Sequence, residues 1–73
     1  MKYYAIREKV TRRFVSETDF SRVDGRPRQI FASPLHPPLL LAGEHLGSEL
    51  RRRRIDMTLF DVVVVVVREA NEK

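Results

Sequence analysis

Residues 62–67 are six consecutive valines, flanked by Phe60-Asp61 and Arg68-Glu69, and no other stretch restricts the fold as strongly. A side chain branched at Cβ loses χ1 freedom in a helix and suits a pleated surface. The run is read as a strand over residues 59–69. Successive side chains of a strand point to opposite faces. The valines therefore form two apolar rows, one of Val62, Val64 and Val66 and one of Val63, Val65 and Val67. A strand apolar on both faces is normally central and covered on both sides. A single helix covers one row. The row of Val63, Val65 and Val67 is then left for a loop, a partner protein or a second copy of the chain, and it is the expected protein interface.

The chain around this strand is short. Its 73 residues allow one domain. A chain of this size buries only roughly 60% of its unfolded surface. With no cysteine there is no disulfide to reinforce it. Oligomerisation is the remaining common support for so small a core. Residues 1–20 read as a β-hairpin: Tyr4 and Ile6 alternate with Tyr3, Ala5 and Arg7, and Phe14, Val15, Thr18 and Phe20 follow after a polar connection. Residues 21–38 hold Asp24-Gly25 and all four prolines, which exclude a long helix or a central strand. Within them Gln29 to Ala32 reads as a short extended piece.

Residues 39–55 read as a leucine-rich entry followed by a helix from Glu44 to about Ile55. Leu46 and Leu50 share one face, with Arg53 and Met57 further along it. Gly43 is the expected N-cap. Gly47 inside the helix costs about 1 kcal/mol relative to alanine. Glu44 near the start and the arginines near the end match the helix dipole. These elements give an α+β domain in the order β-β-(β)-α-β. The expectation is a small antiparallel or mixed sheet of three to four strands with one helix packed on it. Its core should centre on Tyr4, Ile6, Phe14, Leu40, Leu46, Leu50, Phe60 and one valine row.

The net charge is +4, and arginine supplies most of the basic side chains. Arginine's planar fork suits carboxylates and phosphates. Arg51 to Arg54 follow one another on the helix, about 100° apart, so they encircle it instead of forming one face. One of them, Arg53, is expected to lay its stem along the core edge. Arg51, Arg52 and Arg54, with Arg22, Arg26 and Arg28 around the Asp24-Gly25 turn, remain as candidate contacts for nucleic acid or an acidic partner. No helix-turn-helix, GXXG loop or RNA-recognition sheet accompanies them.

Catalytic and metal-binding patterns are not evident. The two histidines, His36 and His45, lack the spacing of a zinc site. His45, Ser48 and Glu49 lie too close along one helix to form a nucleophile–base–carboxylate triad. Three scattered glycines do not make a phosphate cradle. The sequence points to no cofactor and to a non-enzymatic protein. The N-terminus has no apolar secretory segment, and the longest apolar run falls far short of the ~20 residues of a membrane helix. A cytoplasmic protein that does not enter membranes is expected.

The stretch Tyr4-Ala5-Ile6-Arg7-Glu8-Lys9-Val10-Thr11-Arg12-Arg13-Phe14-Val15-Ser16-Glu17-Thr18-Asp19-Phe20 resembles small uncharacterised proteins encoded by phages and prophages of Gram-positive bacteria. The likeness is most specific from Phe14 to Phe20. Such proteins favour glycine at the hairpin turn and before the Thr-Asp pair, where Arg12 and Glu17 stand here. The resemblance implies a phage-related origin and no particular activity. Two functions follow from the sequence as a whole. The first is a protein-interaction module that binds another protein or itself as a homodimer. The alternative is a nucleic-acid-binding protein acting through its arginines.

Overall fold

The structure, a computed structural model, describes residues 2–21 and 25–66. It contains β1 (Lys2–Glu8), β2 (Val15–Asp19), β3 (Arg28–Phe31), α1 (Gly43–Arg52) and β4 (Phe60–Val66), in that order. The α+β class and the chain order agree with the sequence. The sheet does not. Among the described residues all pairing between strands is antiparallel, and it forms two separate two-stranded ladders, β1–β4 and β2–β3.

The expected hairpin over residues 1–20 is only partly formed. Its turn closes, with Arg12 N–H donating to Glu8 O and Glu8 N–H donating to Arg13 O, both at 2.8 Å. Arg12 takes φ = 66°, the position where a glycine would sit without strain. Beyond the single bridge of Arg7 with Phe14 the two strands part. β1 takes β4 as its ladder partner, from Lys2 opposite Val66 to Glu8 opposite Phe60. β2 takes β3, with a bulge between Val15 and Glu17. The gap between the ladders is stitched by the segment after the prolines. Leu39 N–H donates to Val15 O at 2.9 Å, and Leu41 exchanges both backbone bonds with Tyr4 at 2.8 Å.

This arrangement makes β1 the middle strand. β4, expected to be central, has no neighbour other than β1 among the described residues. Residues directly opposite in an antiparallel ladder share a face. One face carries Tyr4, Ile6 and Glu8 with Val64, Val62 and Phe60; the other carries Tyr3, Ala5 and Arg7 with Val65, Val63 and Asp61. The helix lies over the first face. A Cβ added to Gly43 would stand 3.3 Å from the Tyr4 ring, so the helix start presses closely on β1.

The core consists of Ala5, Ile6, Val15, Leu41 and Phe60, with Phe31, Leu39, Leu46, Leu50 and Ile55 packed against its larger members. Ile6 and Phe60 were expected there, and Leu46 and Leu50 contribute as half-buried helix residues. Tyr4 and Phe14 are only half-buried, and Leu40 is exposed. The reason is phase: once Leu41 pairs with Tyr4, alternation sends Leu39 and Leu41 inward and Leu40 outward.

The helix ends earlier than Ile55. Its N-cap is Ala42 in extended conformation, not Gly43, and no side chain caps it. At the other end Arg53 is the C-cap and Arg54 turns left-handed, φ = 54°. Ile55 N–H then reaches back to Leu50 O, and Arg54 N–H to Arg51 O. This is a Schellman ending, with Ile55 and Leu50 both packed on the core. Met57 consequently leaves the helical face and lies exposed in the turn before β4.

Candidate functional site

Two surfaces carry the sequence-predicted residues. The first is built by β4. Val63 and Val65 sit on the face shared with the buried Ala5 and are half-buried themselves. The proline-bearing segment lies over this side, where Ala5, Phe14, Pro37, Pro38, Leu40 and Val65 line an apolar groove of about 380 Å³. Val67, the third member of the expected interface, lies outside the described residues. The more open row is the other one: Val64 is 53% exposed and Val66 65%. These two project from the helix-bearing face, but α1 reaches that face over Tyr4 of β1 and leaves the outer valines uncovered.

The backbone of β4 has a definite polarity across its width. Tyr4 spends both its N–H and its C=O on Leu41, so its ladder partner Val64 lies in a non-hydrogen-bonded rung. In an antiparallel ladder such rungs alternate with bonded ones. Val62, Val64 and Val66 therefore direct N–H and C=O away from β1, toward the open edge. Sequence reasoning missed this edge because two apolar rows suggested a central strand.

The second surface is basic. Arg53 is not part of it. Its side chain is 12% exposed, donates to Glu49 Oε1 at 2.9 Å and to Thr18 Oγ1 at 3.0 Å, and its backbone O accepts from Gln29 Nε2 at 2.9 Å. Arg52 pairs with Glu49 at 3.2 Å and lies 4.9 Å from the centre of the Phe20 ring. These two guanidinium groups, Arg52 first, hold the Glu49 carboxyl below the usual glutamate range. Arg51 and Arg54 are exposed and form no ion pair among the described residues. Arg26 and Arg54, with Pro27, Ile55 and Asp56, line a cleft of about 310 Å³. The Asp56 carboxyl is held below its ordinary range by hydrogen bonds from Thr58, side chain first and backbone second. Arg28 is exposed in β3 opposite Asp19, and Arg22 lies outside the described residues. The structure thus gathers Arg26, Arg51, Arg52 and Arg54 around the end of the helix and the entry to β3, while Arg53, which was not among the candidate contacts, turns inward.

The polar groups considered for catalysis stay apart. Ser48 Oγ donates to the backbone O of His45, while Glu49 faces the arginines, so no relay forms among them. His45 lies 3.3 Å from Glu44 on the surface, and His36 3.2 Å from Ser33 Oγ in an exposed turn. Among the described residues, no group of three or more His, Asp or Glu side chains is placed to hold a metal ion, and no helix is long and apolar enough to cross a membrane. No family model, curated protein or solved structure matches the chain.

Proposed function

We propose that this chain is a non-enzymatic protein-interaction module, a phage- or prophage-type accessory protein, whose contact surface is the open side of β4. One observation carries the reading. β4 offers backbone groups at Val62, Val64 and Val66 that find no partner among the described residues, beside two exposed valine side chains and with no charge between Val62 and Val66. Proteins normally protect such edges with charges, proline, bulges or a covering element. An edge left bare and apolar is a template for another strand. The apolar groove on the opposite face extends the same surface through Val65.

The nucleic-acid reading has one observation of its own. Arg54 keeps a left-handed backbone that glycine would adopt more cheaply, and it lines the cleft with Arg26. Against it stands the engagement of Arg52 with Glu49 and the Phe20 ring. The experiment is a titration of generic DNA and RNA from about 50 to about 300 mM salt. The module reading expects no micromolar binding at physiological salt. Micromolar binding that weakens steeply with salt and disappears when Arg26, Arg51, Arg52 and Arg54 become glutamine would replace it with the nucleic-acid reading.

A further inference from the structure

We infer that β4 pairs antiparallel with β4 of a second copy of this chain, across a two-fold axis that places Val64 opposite Val64. The inference rests on the protein-interaction reading and adds the partner and the register. The argument begins with symmetry. A two-fold axis perpendicular to a sheet brings a strand against itself antiparallel and preserves its faces, so one residue must oppose its own copy. The outward backbone groups belong to Val62, Val64 and Val66, because the Tyr4–Leu41 bridge sets the alternation. Centring the axis on Val64 places Val62 opposite the second copy's Val66 and Val64 opposite itself. Every outward N–H then meets an outward C=O within the described residues. No side chain at these rungs is charged, and each places valine against valine, a favourable cross-strand pair.

The side chains agree with the backbone. Val64 and Val66 share the helix-bearing face with Val62. Pairing joins the open row of one copy to that of the other, so that each exposed valine gains a valine neighbour on its own face. The helix does not obstruct, since it meets the ladder over Tyr4 of β1 and makes no close approach to β4 among the described residues. The result is a continuous sheet running β1, β4, second β4 and second β1. A foreign strand would need the same absence of charge at each rung; a second copy supplies it by identity.

The test uses sedimentation of the full chain at tens of micromolar together with two substitutions. Proline is tolerated on a strand edge where its N–H would face outward. Val64→Pro should therefore keep the fold, seen as an unchanged far-ultraviolet spectrum, and weaken the dimer at least about 30-fold through the loss of one bond from each copy. The chain has no cysteine of its own. Val64→Cys should therefore cross-link to itself on mild oxidation, because opposed residues of a bonded rung stand about 5.5 Å apart at Cα, inside disulfide range. Val62→Cys should cross-link only when mixed with Val66→Cys. A wild-type monomer at these concentrations overturns the inference and leaves the module reading to its own salt titration. A dimer indifferent to Val64→Pro, or one in which Val64→Cys stays reduced, overturns the register while the module reading stands. Should Val64→Pro fail to fold, the cysteine pattern alone decides.

Discussion

Arg53 fastens the end of the helix to the β2–β3 ladder with two contacts, its guanidinium holding Thr18 and its backbone O receiving Gln29, while Glu49 of the helix steadies the guanidinium. Thr18 and Gln29 are themselves cross-strand partners, joined side chain to side chain at 2.7 Å. Replacing Arg53 by alanine removes two side-chain bonds and a packed stem, at a cost of about 1–3 kcal/mol. The same change at the exposed Arg51 should stay within about 0.5 kcal/mol. Urea unfolding of the two variants checks this, and equal effects would show that Arg53 is only surface charge. The packed stem was legible in the sequence, because four consecutive arginines on a helix cannot all face water, but the partners Thr18 and Gln29 were not, since they are distant in the chain. Glu49 gives a second outcome. Its folded pKa is lowered by Arg52 and Arg53, so its stabilising contribution is complete above its unfolded pKa of about 4.3 and is lost as pH falls through the lower folded value. Below about pH 4.3 the wild type should therefore lose stability more steeply than Glu49→Gln, having been the more stable of the two at pH 7. Parallel pH curves would contradict the assignment.

Among the elements, helix α1 is the one whose glycines differ most in consequence. Gly47 is exposed, and a Cβ there would meet only the far end of Arg51 at 3.7 Å. Gly47→Ala should stabilise the protein by roughly 0.5–1 kcal/mol, the usual gain in a helix interior. Gly43 has the Tyr4 ring at 3.3 Å, so Gly43→Ala must push that ring and should yield no comparable gain. Thermal melts of the two variants separate the cases. The existence of this helix and of the valine strand could be read from local pattern, since periodicity and β-branching act over a few residues. The helix end could not, because Arg54 adopts the left-handed position that glycine usually announces. Strand partnership was also hidden. Tyr4, Ile6, Val15 and the valines specify strands but not which strands meet. The structure settles β1 on β4 because β1's other side is already occupied at Tyr4 by Leu41 and at Arg7 by Phe14. That same choice puts β4 at an edge and opens Val64 and Val66 instead of the row singled out from the sequence.

At the scale of the whole molecule, the core is thin for the number of strands it must hold. Among the described residues two large side chains are fully buried, Ile6 and Val15, and they come from the two different ladders. The ladders share little backbone pairing, so their joint burial with Leu41 and Phe60 is the main packing that joins them. A domain of 73 residues has a stability of roughly 4–11 kcal/mol at 0.05–0.15 kcal/mol per residue. Ile6→Ala should cost about 2–5 kcal/mol in lost burial and cavity formation, a large part of that total. Leu35, 85% exposed at the tip of the Ser33–His36 turn, is the control, and its replacement by alanine should stay within about 0.5 kcal/mol. The ladders should also melt together. With this core as their main coupling, Ile6→Ala lowers the midpoint seen for both, whereas loss of one ladder's signal with the other intact would mean that each stands alone. Pairing of β4 between copies acts in the opposite direction, because anything that binds the folded form alone stabilises it by mass action. The urea midpoint of the wild type should then rise with protein concentration, and that of Val64→Pro should not.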